Sequence, residues 1–169
     1  MRKVSALIGS AIFLVVVPGT VAGLAPWWIG QWRVHPPFFV FADIVGIVLI
    51  ALGLVPLLES FVRFALEGLG TPAPIAPPQQ LVVGGFYRHV RNPMYVGVVA
   101  VILGQALLFS DRGVLIYAAI VWLGFHLFVL AYEEPTLSEK FGASYDAFRA
   151  NVPRWLPRLT PWRGPATPA

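Results

Sequence analysis

The chain has no cysteine among its 169 residues and few charged side chains, with Asp, Glu, Lys and Arg together making up 12%. The absence of cysteine excludes a disulfide framework and a thiolate metal site. A soluble domain carries roughly 25% charged residues, whereas this chain is 57% apolar with a mean hydropathy of +0.74. These values predict an integral membrane protein, and the length predicts a single domain, residues 1–169.

Histidine is scarce as well. The three histidines, at positions 35, 89 and 126, are too far apart to form a local metal-binding motif, and no metal site is predicted. The net charge of +4 does not indicate a nucleic-acid partner. In a membrane protein, basic residues mostly set the topology and contact anionic lipid headgroups.

Four apolar runs are long enough to cross a membrane at about 20 residues per crossing. They are Val4–Leu24, Phe38–Leu58, Pro93–Phe109 and Val114–Tyr132. The fold class predicted is therefore all-α, a bundle of about four transmembrane helices followed by a C-terminal amphipathic helix. The first run contains a Pro-Gly pair that is expected to kink it, and an alternative interpretation is a cleaved signal peptide.

The connecting segments also have predictable structures. The short segment Ser110–Gly113 predicts a tight turn that pairs the third and fourth runs as a hairpin, and the prolines of Gly68–Gly85 predict an extended loop. The amphipathic helix follows from apolar residues at three- and four-residue spacing: Leu137, Phe141, Tyr145 and Phe148. We expect residues 1–63 to form an N-terminal helical pair, residues 81–158 to hold the motifs, and Gly164–Ala169 to be a disordered tail.

The basic residues predict the orientation. With the N-terminus inside, ten of the twelve Lys and Arg residues lie on the inner side. The positive-inside rule then places both termini in the cytoplasm. The expected location is a bacterial inner membrane.

The first polar cluster comes directly before the third run. It contains Arg88, His89 and Arg91, and Asn92 and Pro93 then predict a helix start, with asparagine as the N-cap and proline at the first helical position. A helix N-terminus beside arginines is an anion site. The anion is a lipid phosphate, a ligand carboxylate or a cofactor phosphate, so ligand binding and lipid-headgroup anchoring both remain open.

The second polar cluster, Tyr132-Glu133-Glu134, closes the fourth run. Acidic residues at a helix C-terminus are unfavourable by up to about 1 kcal/mol each. They are either a solvated flank or part of a site for a cationic or hydroxyl-rich ligand. Arg91 or Arg154 could pair with one of the two glutamates.

Three smaller features have structural explanations. An intramembrane histidine, His126, is predicted to bond a neighbouring helix, although such a group is also a functional candidate. Gly97 and Gly104 lie on one helical face and predict close packing or a ligand against the backbone. Ion pairing at the helix end is predicted for residues spaced four apart: Glu59, Arg63 and Glu67.

Three motifs in this order resemble those of the isoprenylcysteine carboxyl methyltransferase and phospholipid methyltransferase superfamily of membrane enzymes. The first, of the form G-x-Y-R-x-x-R-[HN]-P-x-Y-x-G, is Gly85–Gly97. A paired-glutamate motif, Tyr132–Glu134, follows one hairpin later. The third, of the form F-G-x-x-Y-x-x-[YF]-x-x-x-V-P-R, is Phe141–Arg154. The resemblance covers roughly residues 81–157.

The resemblance implies S-adenosylmethionine as the methyl donor and an apolar or amphipathic acceptor that enters from the bilayer. The cofactor-binding residues it implies are Tyr87, Arg88, Arg91, Asn92, Pro93, Tyr95, Gly97, Tyr132, Glu133 and Glu134. The catalytic candidates are Glu134, Glu133, His89 and Arg154. Asn92 stands where isoprenylcysteine enzymes usually have histidine and where phospholipid enzymes often have asparagine, which argues against prenylcysteine as the substrate.

The chemistry of the cofactor agrees with these residues, because arginine and helix amides suit a carboxylate, and a glutamate suits an ammonium or hydroxyl groups. An amine or hydroxyl acceptor needs a base, for which the candidates are, in falling order, Glu133, Glu134 and His89. A carboxylate acceptor needs none, and Arg88 or Arg154 would position it.

Two other functions remain alternatives. One is a reductase similar to the NADPH-dependent membrane sterol reductases, and the other is a non-catalytic lipid-binding protein. The expected partners are membrane lipids and a hydrophobic acceptor, such as a phospholipid amine, a quinone or isoprenoid, a fatty or sterol-like lipid, or a xenobiotic.

Overall fold

The computed structural model of the protein describes residues 3–68 and 79–164, and these residues form helices and connecting turns without a strand. The α-helices are α1 (Lys3–Gly19), α2 (Ala25–Gly30), α3 (Ala42–Leu66), α4 (Pro93–Leu108), α5 (Arg112–Phe128), α6 (Glu134–Phe141) and α7 (Ala143–Asn151). Two π-helical turns, Thr20–Leu24 and Val129–Glu133, join α1 to α2 and α5 to α6. A 3₁₀ turn at Gly85–Arg88 precedes α4. The expectation of an all-helical membrane bundle is confirmed.

Three stretches are long and apolar enough to cross a membrane: Leu7–Gly30, Ala42–Leu66 and Arg112–Phe141. The third predicted span is present as the apolar helix α4, which has 16 residues. At 1.5 Å per residue it is about 24 Å long, which is shorter than the roughly 30 Å of a hydrocarbon core. The predictions for the proline-rich loop and the tail fall mostly on residues 69–78 and 165–169, which lie outside the described residues.

The second apolar run ends before Glu59, and the helix that contains it continues past that residue. Helix α3 runs on to Leu66 because the charges compensate one another along one face. Arg63 Nε lies 2.7 Å from Glu59 Oε1, and the Arg63 guanidinium also pairs with Glu67. The ion pairing predicted for the helix end is thus confirmed, since α3 ends at Leu66, within this charged segment. The helix begins at Ala42, later than predicted.

The fourth span also continues beyond its predicted end. Helix α5, the second π-helical turn and α6 form one helical stretch, so Tyr132–Glu134 do not close the helix. The predicted unfavourable position of the glutamates at a helix C-terminus is therefore wrong. The physical reason lies at Pro135, which lacks an amide donor. The π-helical turn just before it changes the hydrogen-bond spacing, so the helix passes the proline.

The prediction of a single C-terminal amphipathic helix is wrong as well, because Gly142 divides this region into α6 and α7. Gly142 has φ +51° and ψ −130°, a conformation that residues with a Cβ rarely adopt. The predicted apolar face is retained on both pieces. Tyr145 and Phe148 are buried in a hydrophobic cluster against which Leu137 and Phe141 also pack.

The predicted distortion of the first run takes the form of the first π-helical turn, Thr20–Leu24. Two carbonyl groups of this turn accept hydrogen bonds from side chains on other helices. The Tyr117 hydroxyl donates to Val21 O (3.0 Å), and Gln105 Nε2 donates to Ala22 O (2.6 Å). Such bonds stabilise an irregular turn among apolar surroundings. The helix then continues through α2, beyond the predicted end of the run.

Helices α3 and α4 pack most extensively, through glycines that face one another. A Cβ placed on Gly97 would lie 2.6 Å from Gly53 O, and one on Gly104 would lie 2.6 Å from Gly46 O. Both distances are too short for any side chain, so the two backbones meet directly. Close packing is therefore the explanation of Gly97 and Gly104, and it sets the position of the N-terminus of α4.

The predicted hairpin between the third and fourth runs is present. Ser110 adopts φ +52°, and the Asp111 side chain accepts a hydrogen bond from Val114 N at 3.0 Å, which caps α5. The turn therefore holds α4 and α5 antiparallel, and it brings the start of α4 near the end of α5.

Candidate functional site

A cavity of about 170 Å³ lies beside the N-terminus of α4, the second π-helical turn and helices α6 and α7. A water molecule needs roughly 10–15 Å³ on such a measure, so the cavity is large enough for an organic ligand. Its polar lining residues are Tyr87, Arg91, Asn92, Tyr95, Tyr132, Glu133, Glu134, Thr136, Lys140 and Tyr145. The rest of the described lining is apolar or aromatic.

The structure brings the two predicted polar clusters together at this cavity. Seven of the ten residues implied for the cofactor line it: Tyr87, Arg91, Asn92, Tyr95, Tyr132, Glu133 and Glu134. The other three lie elsewhere. Gly97 packs against α3, and Pro93 is fully buried in the first turn of α4. Arg88 contacts the C-terminal segment, residues 153–162.

Glu134 is the centre of an ion-pair network. Its Oε1 lies 2.9 Å from a terminal nitrogen of Arg91 and 2.6 Å from Arg154 Nε, and its Oε2 accepts a bond from Arg154 at 3.0 Å. The side chains of Glu134 and Arg91 are each only 10% exposed. The bidentate bond to Glu134 raises the pKa of Arg154. Both arginines considered from the sequence thus bind the same glutamate.

Glu133 has a different environment from its neighbour. Its Oε2 accepts a hydrogen bond from the Tyr95 hydroxyl at 2.8 Å. The ion pairs found among residues 3–68 and 79–164 do not include it. Adjacent glutamates therefore differ in charge balance, with two guanidinium groups on one and a phenol on the other.

The second π-helical turn positions this pair. Glu133 is its last residue, and Glu134 begins α6. The turn is stabilised by Thr136, whose hydroxyl donates to Tyr132 O at 2.7 Å. Single π-helical turns within α-helices frequently occur at functional sites, and this one directs two consecutive carboxylates to different partners.

Arg91 connects the ion-pair network to Tyr145. A terminal nitrogen of Arg91 also donates to the Tyr145 hydroxyl at 3.4 Å, while Arg91 Nε is buried and has no hydrogen-bond partner among the described residues. Burial, together with the negative charge of Glu134, raises the pKa of Tyr145, so its hydroxyl stays neutral. Tyr145 belongs to the third sequence motif, but nothing in that motif assigned it to the cavity.

Asn92 takes the first position before α4, as predicted, but its side chain does not cap the helix. Instead, Asn92 Nδ2 donates to Arg154 O at 3.2 Å. The backbone continues this contact, since Arg91 N donates to Pro153 O at 2.9 Å. The predicted side-chain cap is wrong because the C-terminal segment supplies a better-placed acceptor.

His89 and Arg88 are held by the same C-terminal segment. His89 Nδ1 lies 2.8 Å from Arg158 O, and because a carbonyl can only accept, Nδ1 must carry a proton. Arg88 Nε donates to Trp162 O at 2.6 Å, and the Trp162 amide donates to Arg88 O. Both side chains bind backbone there, and neither is among the described residues that line the cavity.

His126 accepts a hydrogen bond from Trp155 Nε1 at 3.1 Å. Its partner therefore lies in the C-terminal segment and not on a neighbouring helix, which corrects the prediction. Trp122 stacks on the imidazole with ring centroids 5.3 Å apart. The contact fastens residues 153–162 to α5 and so helps to hold Arg154 beside Glu134.

A family model described as phospholipid methyltransferase matches residues 41–144, more than half of the chain. The chain belongs to the phospholipid methyltransferase family. A protein-S-isoprenylcysteine O-methyltransferase from Schizosaccharomyces pombe (strain 972 / ATCC 24843) is 37% identical over 80 residues, which are 47% of this chain and 34% of that protein. The chain thus matches about a third of that relative's length. No solved structure matches.

The match to the phospholipid methyltransferase family covers most of the cavity but not all of its surroundings. Helix α1, the first π-helical turn and Arg154 lie outside residues 41–144. The family match therefore gives no information about these parts. Among the described residues, no group of three or more His, Cys, Asp or Glu is arranged to hold a metal ion.

A second cavity, of about 200 Å³, adjoins the first among α1, α4 and α5. Its lining residues are Phe13, Val17, Pro18, Val21, Met94, Tyr95, Val98, Phe125 and Phe128. The sequence did not predict it. The one available signal was the proline in the first run, since Pro18 lines the cavity just before the first π-helical turn.

Proposed function

We propose that this protein is a membrane methyltransferase that transfers a methyl group from S-adenosylmethionine to a lipid-like or hydrophobic acceptor. Family membership supports the reaction class. The observation that carries the proposal is the ligand-sized cavity in which Arg91 and the glutamate pair, from distant parts of the chain, meet. Residues of two candidate membrane spans, Ala42–Leu66 and Arg112–Phe141, line the cavity, which supports an acceptor that enters from the bilayer.

The donor set fits the chemistry of S-adenosylmethionine. The amino-acid end of that molecule carries a carboxylate and an ammonium, and the cavity offers the oppositely charged pair Arg91 and Glu134, 2.9 Å apart. The buried and unpartnered Arg91 Nε is a further donor, and an unsatisfied donor of this kind costs about 1–3 kcal/mol. A bound carboxylate would satisfy it after a small rotation of the side chain. The aromatic lining suits the nucleoside part.

When bound, S-adenosylmethionine supplies an electrophilic methyl group on its sulfonium. The protein then has to align the acceptor, exclude water and take up a proton where the acceptor carries one. Glu133 is the best-placed base, because Glu134 is bound by two arginines and His89 by the C-terminal segment. Arg154 is a positioning residue that holds Glu134.

Calorimetric binding of S-adenosylmethionine and S-adenosylhomocysteine to detergent-purified protein tests the proposal. We expect saturable binding, weakened on the order of tenfold, or about 1.4 kcal/mol, by Arg91→Lys, because an ammonium cannot reproduce the planar fork of donors. The matched control is Arg112→Lys, an exposed arginine at the first position of α5.

Failure of folded protein to bind either compound would refute the assignment. Binding of NADPH in their place would favour the reductase alternative. Equal binding by the Arg91→Lys and Arg112→Lys variants would remove Arg91 from the site, and circular dichroism would establish that each variant is folded.

A further inference from the structure

We propose that the C-terminal segment, together with the adjoining Arg163, docks onto a membrane surface of anionic lipid and thereby steadies the first cavity, which contains the glutamate pair. Leu156 and Leu159 insert among the acyl chains, and Arg158 and Arg163 bind lipid phosphates. The docking is independent of the proposed function, whereas its effect on methyl-donor binding rests on that function.

Two leucines of the C-terminal segment project outward from the protein. Leu156 is 80% exposed and Leu159 is 97% exposed, the highest values among the large apolar residues that the structure describes. Neither leucine belongs to a candidate membrane span. The backbone between them is held in place, since Arg158 N donates to His89 O at 2.9 Å. Neighbouring apolar side chains that are held outward in this way mark a contact surface.

The contact with α5 gives the depth of the segment in the membrane. Arg112 is the charged residue that begins α5 and so marks one membrane surface, and His126 lies about 21 Å along the helix from it, at 1.5 Å per residue. Trp155 Nε1 donates to His126 Nδ1 at 3.1 Å. In a hydrocarbon core of roughly 30 Å, Trp155 and the adjacent Leu156 therefore lie about 9 Å inside the opposite surface, the depth of an interfacial element.

The charge of this region selects anionic lipid as the partner. No acidic residue follows Asp146, whereas residues 147–163 contain four arginines. Arginines beside a membrane are attracted to anionic headgroups, and the positive-inside rule places these at the cytoplasmic leaflet, where such lipids are found. A second copy of the chain would instead bring the same positive charge to the surface and be repelled.

Two of these arginines have no acidic partner. Arg163 is exposed, and neither it nor Arg158 belongs to the ion pairs found among residues 3–68 and 79–164. The Arg158 guanidinium donates to neutral acceptors, Asn151 O at 2.7 Å and the Thr160 hydroxyl at 3.3 Å. Because Arg158 adjoins Leu159 in the chain, one lipid can contact the arginine with its phosphate and the leucine with its acyl chain.

The C-terminal segment is also bonded to the wall of the first cavity. Its Arg154 holds Glu134 through two hydrogen bonds, and Arg154 O accepts a bond from Asn92 Nδ2. Pro153 O in turn accepts a bond from Arg91 N. Lipid contacts that hold the segment therefore favour the arrangement in which Arg91 and Glu134 meet. A ligand of that arrangement should then bind more tightly when the segment is docked, because the two equilibria are coupled.

Fluorescence quenching in nanodiscs tests the docking. The chain has no cysteine, so Pro161→Cys gives a unique site for a bimane label close to Leu159. The discs contain lipids with brominated acyl chains, either phosphatidylcholine alone or equal parts of phosphatidylcholine and phosphatidylglycerol. We expect the brominated chains to quench the label, on the order of twofold more strongly in the anionic discs. Iodide in the water should quench it weakly.

Matched variants separate the two kinds of lipid contact. Arg163→Gln should remove on the order of half of the extra quenching seen in anionic discs. The control is Arg33→Gln, which removes an exposed arginine just after α2 and should leave the quenching unchanged. Replacing Leu156 and Leu159 together with asparagine should reduce quenching in both kinds of disc, and circular dichroism would establish that each variant is folded.

The effect on the first cavity is measured separately, as binding of S-adenosylhomocysteine in the same discs. We expect about fivefold tighter binding in the anionic discs, which is the lower end of usual coupling between sites. This difference should shrink in Arg163→Gln and persist in Arg33→Gln.

A label that iodide quenches and brominated chains do not would lie in water, which would overturn the docking. A label shielded from both quenchers would show that a second copy of the chain covers the leucines, with the same consequence. Equal quenching in the two kinds of disc, or equal effects of Arg163→Gln and Arg33→Gln, would overturn the choice of anionic lipid.

Docking without a change in S-adenosylhomocysteine affinity would overturn the coupling to the first cavity. Failure to bind S-adenosylhomocysteine or S-adenosylmethionine in any disc would instead refute the proposed function, and the quenching results would still support the docking.

Discussion

Replacing Glu134 with glutamine should destabilise the protein strongly, because it removes the negative charge between two arginines. Removing one partner of a buried ion pair costs about 3–5 kcal/mol. We expect about 3 kcal/mol, at the low end of that range, because the Arg154 side chain is 30% exposed and water can solvate part of its charge. The glutamine carbonyl also keeps one acceptor.

The matched variant is Glu133→Gln, one residue away in the same helical stretch. An amide oxygen can still accept the hydrogen bond from Tyr95, and no ion pair described for the chain is lost. We expect a stability change of less than about 1 kcal/mol, together with a large loss of turnover. The pair of variants therefore separates a glutamate that holds the site together from one that contacts the acceptor.

Thermal unfolding in detergent measures the difference. For a chain of this size, 1 kcal/mol shifts the midpoint by about 2–4 °C, so Glu134→Gln should lower it by about 6–12 °C and Glu133→Gln by no more than about 4 °C. Equal shifts for the two variants would refute the division of roles. So would full turnover by Glu133→Gln with an amine or alcohol acceptor.

Two further substitutions test the packing around the site. Gly97→Ala should lower the free energy of unfolding by about 1–3 kcal/mol, because the added Cβ overpacks α4 against Gly53. The control is Gly124→Ala, where an added Cβ meets nothing within 4 Å, and it should be neutral or stabilising. Equal unfolding midpoints for the two variants would contradict the close helix contact. Trp155→Phe should lower the free energy of unfolding by about 1 kcal/mol, because it leaves His126 without its hydrogen-bond donor. It should also speed proteolysis of the C-terminal segment. An unchanged cleavage rate would contradict the role of this bond in holding the segment against α5.

The sequence predicted the helices well where apolar length decides and poorly where local chemistry decides. The start of α4 at Pro93 followed from the Asn-Pro pair and the turn before α5 from the short segment Ser110–Gly113, and both are present, although Asn92 does not cap the helix with its side chain. The ion pairing at the end of α3 followed from the four-residue spacing of its charges and was confirmed. The continuation of the fourth run past Glu133 and Glu134 was missed, because the sequence did not show that Glu134 pairs with two arginines.

The convergence of the two polar clusters was foreseeable, but the pairing inside the site was not. Arg91 and Arg154 were equally available to either glutamate in the sequence. The choice depends on the C-terminal segment, which is tied to the backbone before α4 by bonds such as Asn92 to Arg154 O. Contacts of this kind join residues far apart in the chain, and no local pattern reports them.

The two π-helical turns explain why the site was harder to predict than the bundle. Each lies beside a proline, Pro18 before the first and Pro135 after the second, and each contributes to the wall of one cavity. A proline in an apolar run predicts some distortion, but not whether the helix kinks, ends or widens. Widening at the second turn leaves Glu134 with two arginines and Glu133 at the wall between the cavities. One carboxylate is then bound by two guanidinium groups of the protein, while the next, a single residue earlier, has a phenol as its hydrogen-bond partner.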